Sequence, residues 1–235
     1  MILLDGNDVI NGDGGNNNLQ GGNGNNILYG YDGNDTLETG NGNDTLDANN
    51  GNDTLLSGEG DDILYGGGGN DLLRAGGGND NLDGGNGNDF LAGEDGDDVL
   101  RGGGGDDFID AGNGNDTVDG GSGNDFLAGN SGDELLNGGD GNDTILGDRG
   151  DDTLIGGGGS DLLVIDNQGG MDTIPEFSFG SDVIGLRDGM TFDNLSITQG
   201  NGAAIISFEG RAVASVSGAT PNQLDADDFV IVDFI

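Results

Sequence analysis

From Asp8 to Asp161 the chain places an oxygen-bearing side chain at every ninth residue, eighteen times without insertion or deletion. Fifteen of the eighteen are Asp: Asp8, Asp35, Asp44, Asp53, Asp62, Asp71, Asp80, Asp89, Asp98, Asp107, Asp116, Asp125, Asp143, Asp152 and Asp161; the exceptions are Asn17, Asn26 and Glu134. Two residues before each stands a Gly, including Gly33, Gly42, Gly51, Gly60, Gly69, Gly78, Gly87, Gly96, Gly105, Gly114, Gly123, Gly141, Gly150 and Gly159. Two residues after each stands Leu, Ile or Val. A Gly-rich turn with one carboxylate and free carbonyls offers hard oxygen ligands, which select Ca²⁺ or Mg²⁺. The chain has no His and no Cys, so the usual Zn²⁺ and Cu ligand sets are absent. Ca²⁺ is favoured over Mg²⁺, because a compact turn supplying six or more oxygens leaves little room for the waters that Mg²⁺ keeps.

The positioning element is the nine-residue unit Gly-Gly-x-Gly-x-Asp-x-Leu-x, seen in full at 84–92. Its first six positions are mostly Gly, Asn and Asp and read as a turn. The last three read as a short strand whose middle, aliphatic residue faces inward. Turn, strand, turn, strand uses eighteen residues and stacks on itself at about 4.8 Å per step. The expectation is an all-β solenoid: a parallel β-roll of about nine 18-residue coils over residues 1–165, two sheets enclosing a thin aliphatic core. Turns on one edge come from alternate units, so each cation is expected between two turns eighteen residues apart, such as Asp44 and Asp62. Eleven to thirteen Ca²⁺ are expected, with the gaps beside Asn17 and Asn26 weak or empty and those beside Glu134 in doubt.

With 45 acidic residues against five Arg and no Lys, the net charge is -40. This disfavours nucleic acid and anionic membrane surfaces as partners and favours cations. Carboxylates spaced by about 5 Å repel by roughly 3 kcal/mol per neighbouring pair at an effective dielectric near 20. Metal and fold are therefore expected together. The bland alternative is that the Asp residues serve only as turn formers. No apolar stretch is long enough to span a membrane, and the N-terminus has neither the basic nor the long apolar region of a Sec-type signal peptide.

Residues 166–235 read as a C-terminal cap. Gly170–Ile174 and Gly180–Ile184 keep the Gly-x-Asp-x-aliphatic grammar out of phase, and strand-like segments follow at 195–198, 203–208, 212–216 and 229–232. An open solenoid end exposes unpaired backbone, so a cap is required. At the other end only Met1 to Leu4 are available, so the expectation is either that they fold over the first coil or that an upstream domain has been removed.

The unit resembles the nonapeptide of RTX (repeats-in-toxin) proteins, whose haemolysin-type repeats bind calcium. The resemblance implies a right-handed roll, Ca²⁺ held by the Asp side chains and turn carbonyls named above, a secreted bacterial protein, and export by type I secretion machinery. The acid-plus-apolar end Asp233-Phe234-Ile235 is similar to the uncleaved signal of such substrates. No catalytic residue is expected: Ser122 and Ser131 have no His or Lys to activate them, and the Gly-x-Gly pairs lack a nucleotide-binding context.

Four readings follow. The first is a non-enzymatic calcium-binding roll that folds outside the cell. The second is an adhesive or structural surface, self-associating through the Phe90, Phe108 and Phe126 ladder. The third is ice binding, disfavoured by the variable third position. The fourth is the C-terminal module of a longer toxin, protease, lipase or epimerase.

Overall fold

The nine-residue phase becomes two parallel ladders, each advancing eighteen residues per rung. The computed structural model describes residues 5–232. One sheet stacks Val9–Asn11, Ile27–Asp32, Thr45–Asn50, Ile63–Gly68, Asn81–Asn86, Val99–Gly104, Thr117–Ser122, Leu135–Asp140 and Thr153–Gly158. The other stacks Asn18–Gly22, Thr36–Thr39, Thr54–Glu59, Leu72–Gly77, Phe90–Asp95, Phe108–Asn113, Phe126–Ser131, Thr144–Arg149 and Leu162–Ile165. Partners lie eighteen residues apart: Phe90 lies opposite Phe108 and Leu91 opposite Ile109. The chain is thus an all-β parallel solenoid.

The strands correct one expectation. Most are six residues long, running from the seventh position of one unit through the third of the next. Gly at the first and second positions joins the strand because ladder bonds need only a neighbouring backbone, and every coil has one. The second position bends the strand by taking positive φ, 106° at Gly67 and 78° at Glu94. The turn proper shrinks to positions four to six. At position four Gly is required twice over: φ is 146° at Gly51, and a Cβ there would strike the Gly33 carbonyl oxygen in the preceding coil.

The eighth-position row from Ile10 to Leu163 is no more than 5% exposed. Each such side chain contributes about 1.5–3 kcal/mol through apolar burial. The first position also points inward, where Ala48, Ala75 and Ala111 are buried. Outside, the Phe ladder forms: Phe90 and Phe108 stack at 5.2 Å, Phe108 and Phe126 at 4.9 Å, with Phe90 and Phe108 37% and 40% exposed.

Both ladders continue past residue 165. Asp172–Ile174 pairs with Thr153–Gly158, and Val183–Leu186 pairs with Leu162–Ile165, so the out-of-phase units supply a further coil. Arg211–Ser217 then adds to Asp172–Ile174, and Ala203–Phe208 and Leu195–Gln199 follow antiparallel. Phe229–Ile231 covers the other sheet's edge. The four strand-like tail segments thus coincide with strands. Arg211 donates to the carbonyls of Asn167 and Gly169, and Arg187 pairs with Asp148 at 2.6 Å. Met1 to Leu4 and Asp233-Phe234-Ile235 lie outside the described residues. No helix among those described is long and apolar enough to cross a membrane.

Candidate metal centre

Each sixth-position carboxylate is drawn beneath its own turn toward the turn before it. From Asp35 to Asp161, Glu134 apart, one oxygen, Oδ1, accepts the backbone N–H of the sixth residue eighteen places earlier. Asp71 accepts from Asp53 at 2.7 Å and Asp107 from Asp89 at 2.8 Å on one edge; Asp98 accepts from Asp80 at 2.8 Å on the other. The second oxygen, Oδ2, is buried with no hydrogen-bond partner in Asp35, Asp44, Asp53, Asp62, Asp71, Asp80, Asp89, Asp98, Asp107, Asp116, Asp125, Asp143, Asp152 and Asp161. These side chains are 1–4% exposed. A buried anion oxygen without a partner is among the costlier features a fold can carry, and here it recurs along both edges.

The electrostatics carry the same signature. Loss of water pushes Asp71, Asp80 and Asp107 up to about 7, with neighbouring carboxylates adding to the shift and the N–H bond opposing it. Asp62, Asp98, Asp116 and Asp143 are pushed up to about 6 by the same burial. Asp44, Asp53, Asp89, Asp125, Asp152 and Asp161 are also raised, burial first. A divalent cation reverses this logic, because it is the largest local charge and favours the ionised form.

Backbone oxygens complete the donor set. The point at which a Cβ would stand on Gly66, at the first position, is 2.5 Å from Asp71 Oδ2 and 2.6 Å from the Gly84 carbonyl oxygen of the next coil. At Gly84 the same point is 2.5 Å from Asp89 Oδ2 and 2.8 Å from the Gly102 oxygen. A carboxylate oxygen and a backbone carbonyl oxygen thus converge on the space that a side chain at the first position would fill. Among the described residues no three carboxylates gather, so a cation here must draw on carbonyls as well as carboxylates. The donor set fits a hard divalent cation. The cradle is not uniform: Ala48, Ala75 and Ala111 carry a methyl at the first position, while Thr39 and Ser57 donate their hydroxyls to the carbonyls of Ser57 and Ala75 at 3.0 Å.

The exceptional units behave differently. Asp8 is only half-buried, in the first coil. Asn17 turns its side chain to Asp13, accepting that residue's N–H at 2.7 Å. Neither carboxylate oxygen of Glu134 has a partner, so its longer side chain fails to receive the Asp116 N–H. Burial and then the adjacent Asp152 push its carboxyl well above the ordinary carboxylate range.

Sequence reasoning missed three features. Asp172 and Asp182 extend the two rows, accepting the N–H groups of Asp152 at 3.4 Å and Asp161 at 3.3 Å; their Gly-x-Asp grammar was the signal, but the broken spacing hid it. The first-position carbonyls were overlooked beside the fourth-position glycines. At the fifth position, the side-chain oxygen accepts the N–H of the fifth residue in the following coil, as Asn52 does from Asn70 at 2.9 Å. The signal was plain: that position is Asn, Asp or Ser in every unit.

The family described as the RTX calcium-binding nonapeptide repeat (4 copies) matches residues 4–37, 29–64, 56–91, 92–127 and 128–163. No curated protein matches the chain. Among solved structures, the crystal structure of the extracellular lipase LipA from Serratia marcescens is similar over 88% of this chain, with 20% identity and a TM-score of 0.44. The chain spans 40% of the length of that lipase.

Proposed function

The chain belongs to the RTX calcium-binding nonapeptide repeat family, and from that premise we propose that calcium binding is what folds it. The observation that carries the reading is the double row of buried Oδ2 atoms without partners. In calcium-poor surroundings the carboxylates repel one another and the chain stays extended. At the calcium levels of about 10⁻⁴–10⁻³ M to which extracellular modules are tuned, ions enter between successive turns and the roll forms.

In this reading Asp35 through Asp161 supply the side-chain ligands, and turn carbonyls, including those of the fourth-position glycines, supply the rest. Eleven to thirteen ions bind. Residues 166–235 cap the roll of residues 1–165 and serve as its nucleus. The role is structural rather than catalytic, in a bacterial protein exported unfolded by type I secretion machinery and folded outside. A calcium titration followed by circular dichroism tests it: β-structure should be gained with calcium and lost in chelator. Substantial β-structure in excess chelator, unchanged by calcium, overturns the proposal.

A second reading rests on the stacked, partly exposed Phe90, Phe108 and Phe126. It makes this strip a self-association surface. Replacing all three with Ser should abolish association in light scattering while leaving calcium uptake intact; equal association in the variant refutes it.

A further inference from the structure

We infer that Asn26 is a built-in substitute for a cation, so that its turn is complete without metal. This rests on the calcium reading above and concerns the one turn whose chemistry departs from it most clearly. Asn26 is 1% exposed, as deeply buried as the aspartates above it. Its Oδ1 does what each Asp Oδ1 does, accepting the N–H of the sixth residue one coil earlier, Asp8, at 3.1 Å. Its Nδ2 donates to the carbonyl oxygens of Gly24 at 2.7 Å and Gly22 at 3.3 Å.

The amide's orientation is dictated by its neighbours. Turned over, it would place N–H against the Asp8 N–H and oxygen against two carbonyls. Above Asn26 on this edge the corresponding atom is a carboxylate Oδ2 with no hydrogen-bond partner in Asp44, Asp62, Asp80, Asp98, Asp116 and Asp152. A bare anionic oxygen among carbonyls calls for a positive charge; an amide N–H₂ supplies the positive end of a dipole and its two protons instead. Asn26 also keeps its place in the zipper, since its own N–H donates to Asp44 Oδ1 at 2.6 Å.

The rest of the N-terminal third shares this bias. The hydroxyls of Thr39 and Ser57 donate to the first-position carbonyls of Ser57 and Ala75. The first coils therefore carry part of their electrostatic complement in the chain itself. On this edge the unbroken row of buried carboxylates begins at Asp44.

The test is Asn26→Asp in the full chain, with bound calcium counted by native mass spectrometry at saturation. The variant should hold at least one calcium more than the wild type, because Asp8, residue 26 and Asp44 then form an unbroken carboxylate row. An unchanged count overturns the inference. Asn26→Ala is the second arm, removing the donors without adding charge. In saturating calcium it should lower the melting temperature by about 2–4 °C for each ~1 kcal/mol of hydrogen bonding lost, with no recovery at higher calcium. A melting temperature equal to wild type overturns the inference even if Asn26→Asp fails to fold. A wild type that binds no calcium overturns the underlying reading instead, and that is visible without any variant.

Discussion

Replacing Asp107 separates its two oxygens. Oδ1 holds the Asp89 N–H at 2.8 Å, while Oδ2 is buried without a partner. Asn at this position keeps the first and turns the second into a donor for carbonyls of its own turn, as Asn26 does; Ala removes both. At pH 8 and without metal, the Asp107 carboxylate faces Asp89 and Asp125, both of which raise its pKa. At about 5 Å and an effective dielectric near 20, removing one charge relieves roughly 3 kcal/mol per neighbour before screening. Asp107→Asn should therefore raise the β-content of the chelated chain while lowering the number of ions bound at saturation. Asp107→Ala relieves the same repulsion but leaves the buried Asp89 N–H unpaired, which costs about 1–3 kcal/mol. It should be the less stable of the two in either condition. Circular dichroism melts in chelator and in calcium, with metal counted after dialysis, check the pair. The reasoning fails if Asp107→Asn keeps the full calcium count, or if it is no more stable than Asp107→Ala in chelator.

Two further outcomes follow from the geometry. The carboxylates are raised toward 6 or 7 by burial, so the metal-free folded chain binds more protons than the unfolded one between about pH 4 and pH 7. Stability without calcium is then greatest below the unfolded pKa and lost as pH rises through the folded values. Acidifying the chelated protein from pH 8 to pH 5 should increase its β-signal, and a decrease contradicts this sign. Glu134→Asp should restore the missing bond from the Asp116 N–H and the regular ladder, stabilising the calcium-loaded roll by about 1 kcal/mol. An unchanged or lowered melting temperature counts against the assigned fault.

Much of the roll was legible because its period is rigid. Once Leu91 and Ile109 share a position eighteen residues apart, parallel register follows, and so do the edges on which Asp89 and Asp107 lie. What stayed hidden depends on hydrogen-bond direction, which composition does not encode. Gly66 and Gly84 read as turn residues because Gly favours turns, yet both sit in strands, and the Gly84 carbonyl and Asp71 Oδ2 both point at the space a side chain on Gly66 would fill. Asp172 keeps the repeat's grammar out of phase, and the longer loop before it conceals that the ladder tolerates two extra residues without losing the inter-turn bond.

The two zippers divide the work between chain and metal. A fifth-position side chain accepts from the coil after it, as Asn70 does from Asn88 at 3.0 Å. A sixth-position side chain accepts from the coil before it, as Asp89 does from Asp71 at 2.8 Å. Each gap is thereby tied in both directions by bonds that need no ion. Such bonds contribute about 1 kcal/mol apiece, more where the acceptor is charged, and they specify which turn stacks on which. They cannot offset the repulsion of carboxylates stacked at roughly 5 Å, about 3 kcal/mol for every neighbouring pair. Register is therefore a property of the Asn and Asp oxygens that accept N–H groups, whereas the decision to fold belongs to whatever neutralises the second oxygen. Asn26 shows the distinction within one residue: it keeps the register bonds of its row and replaces only the charge-dependent part.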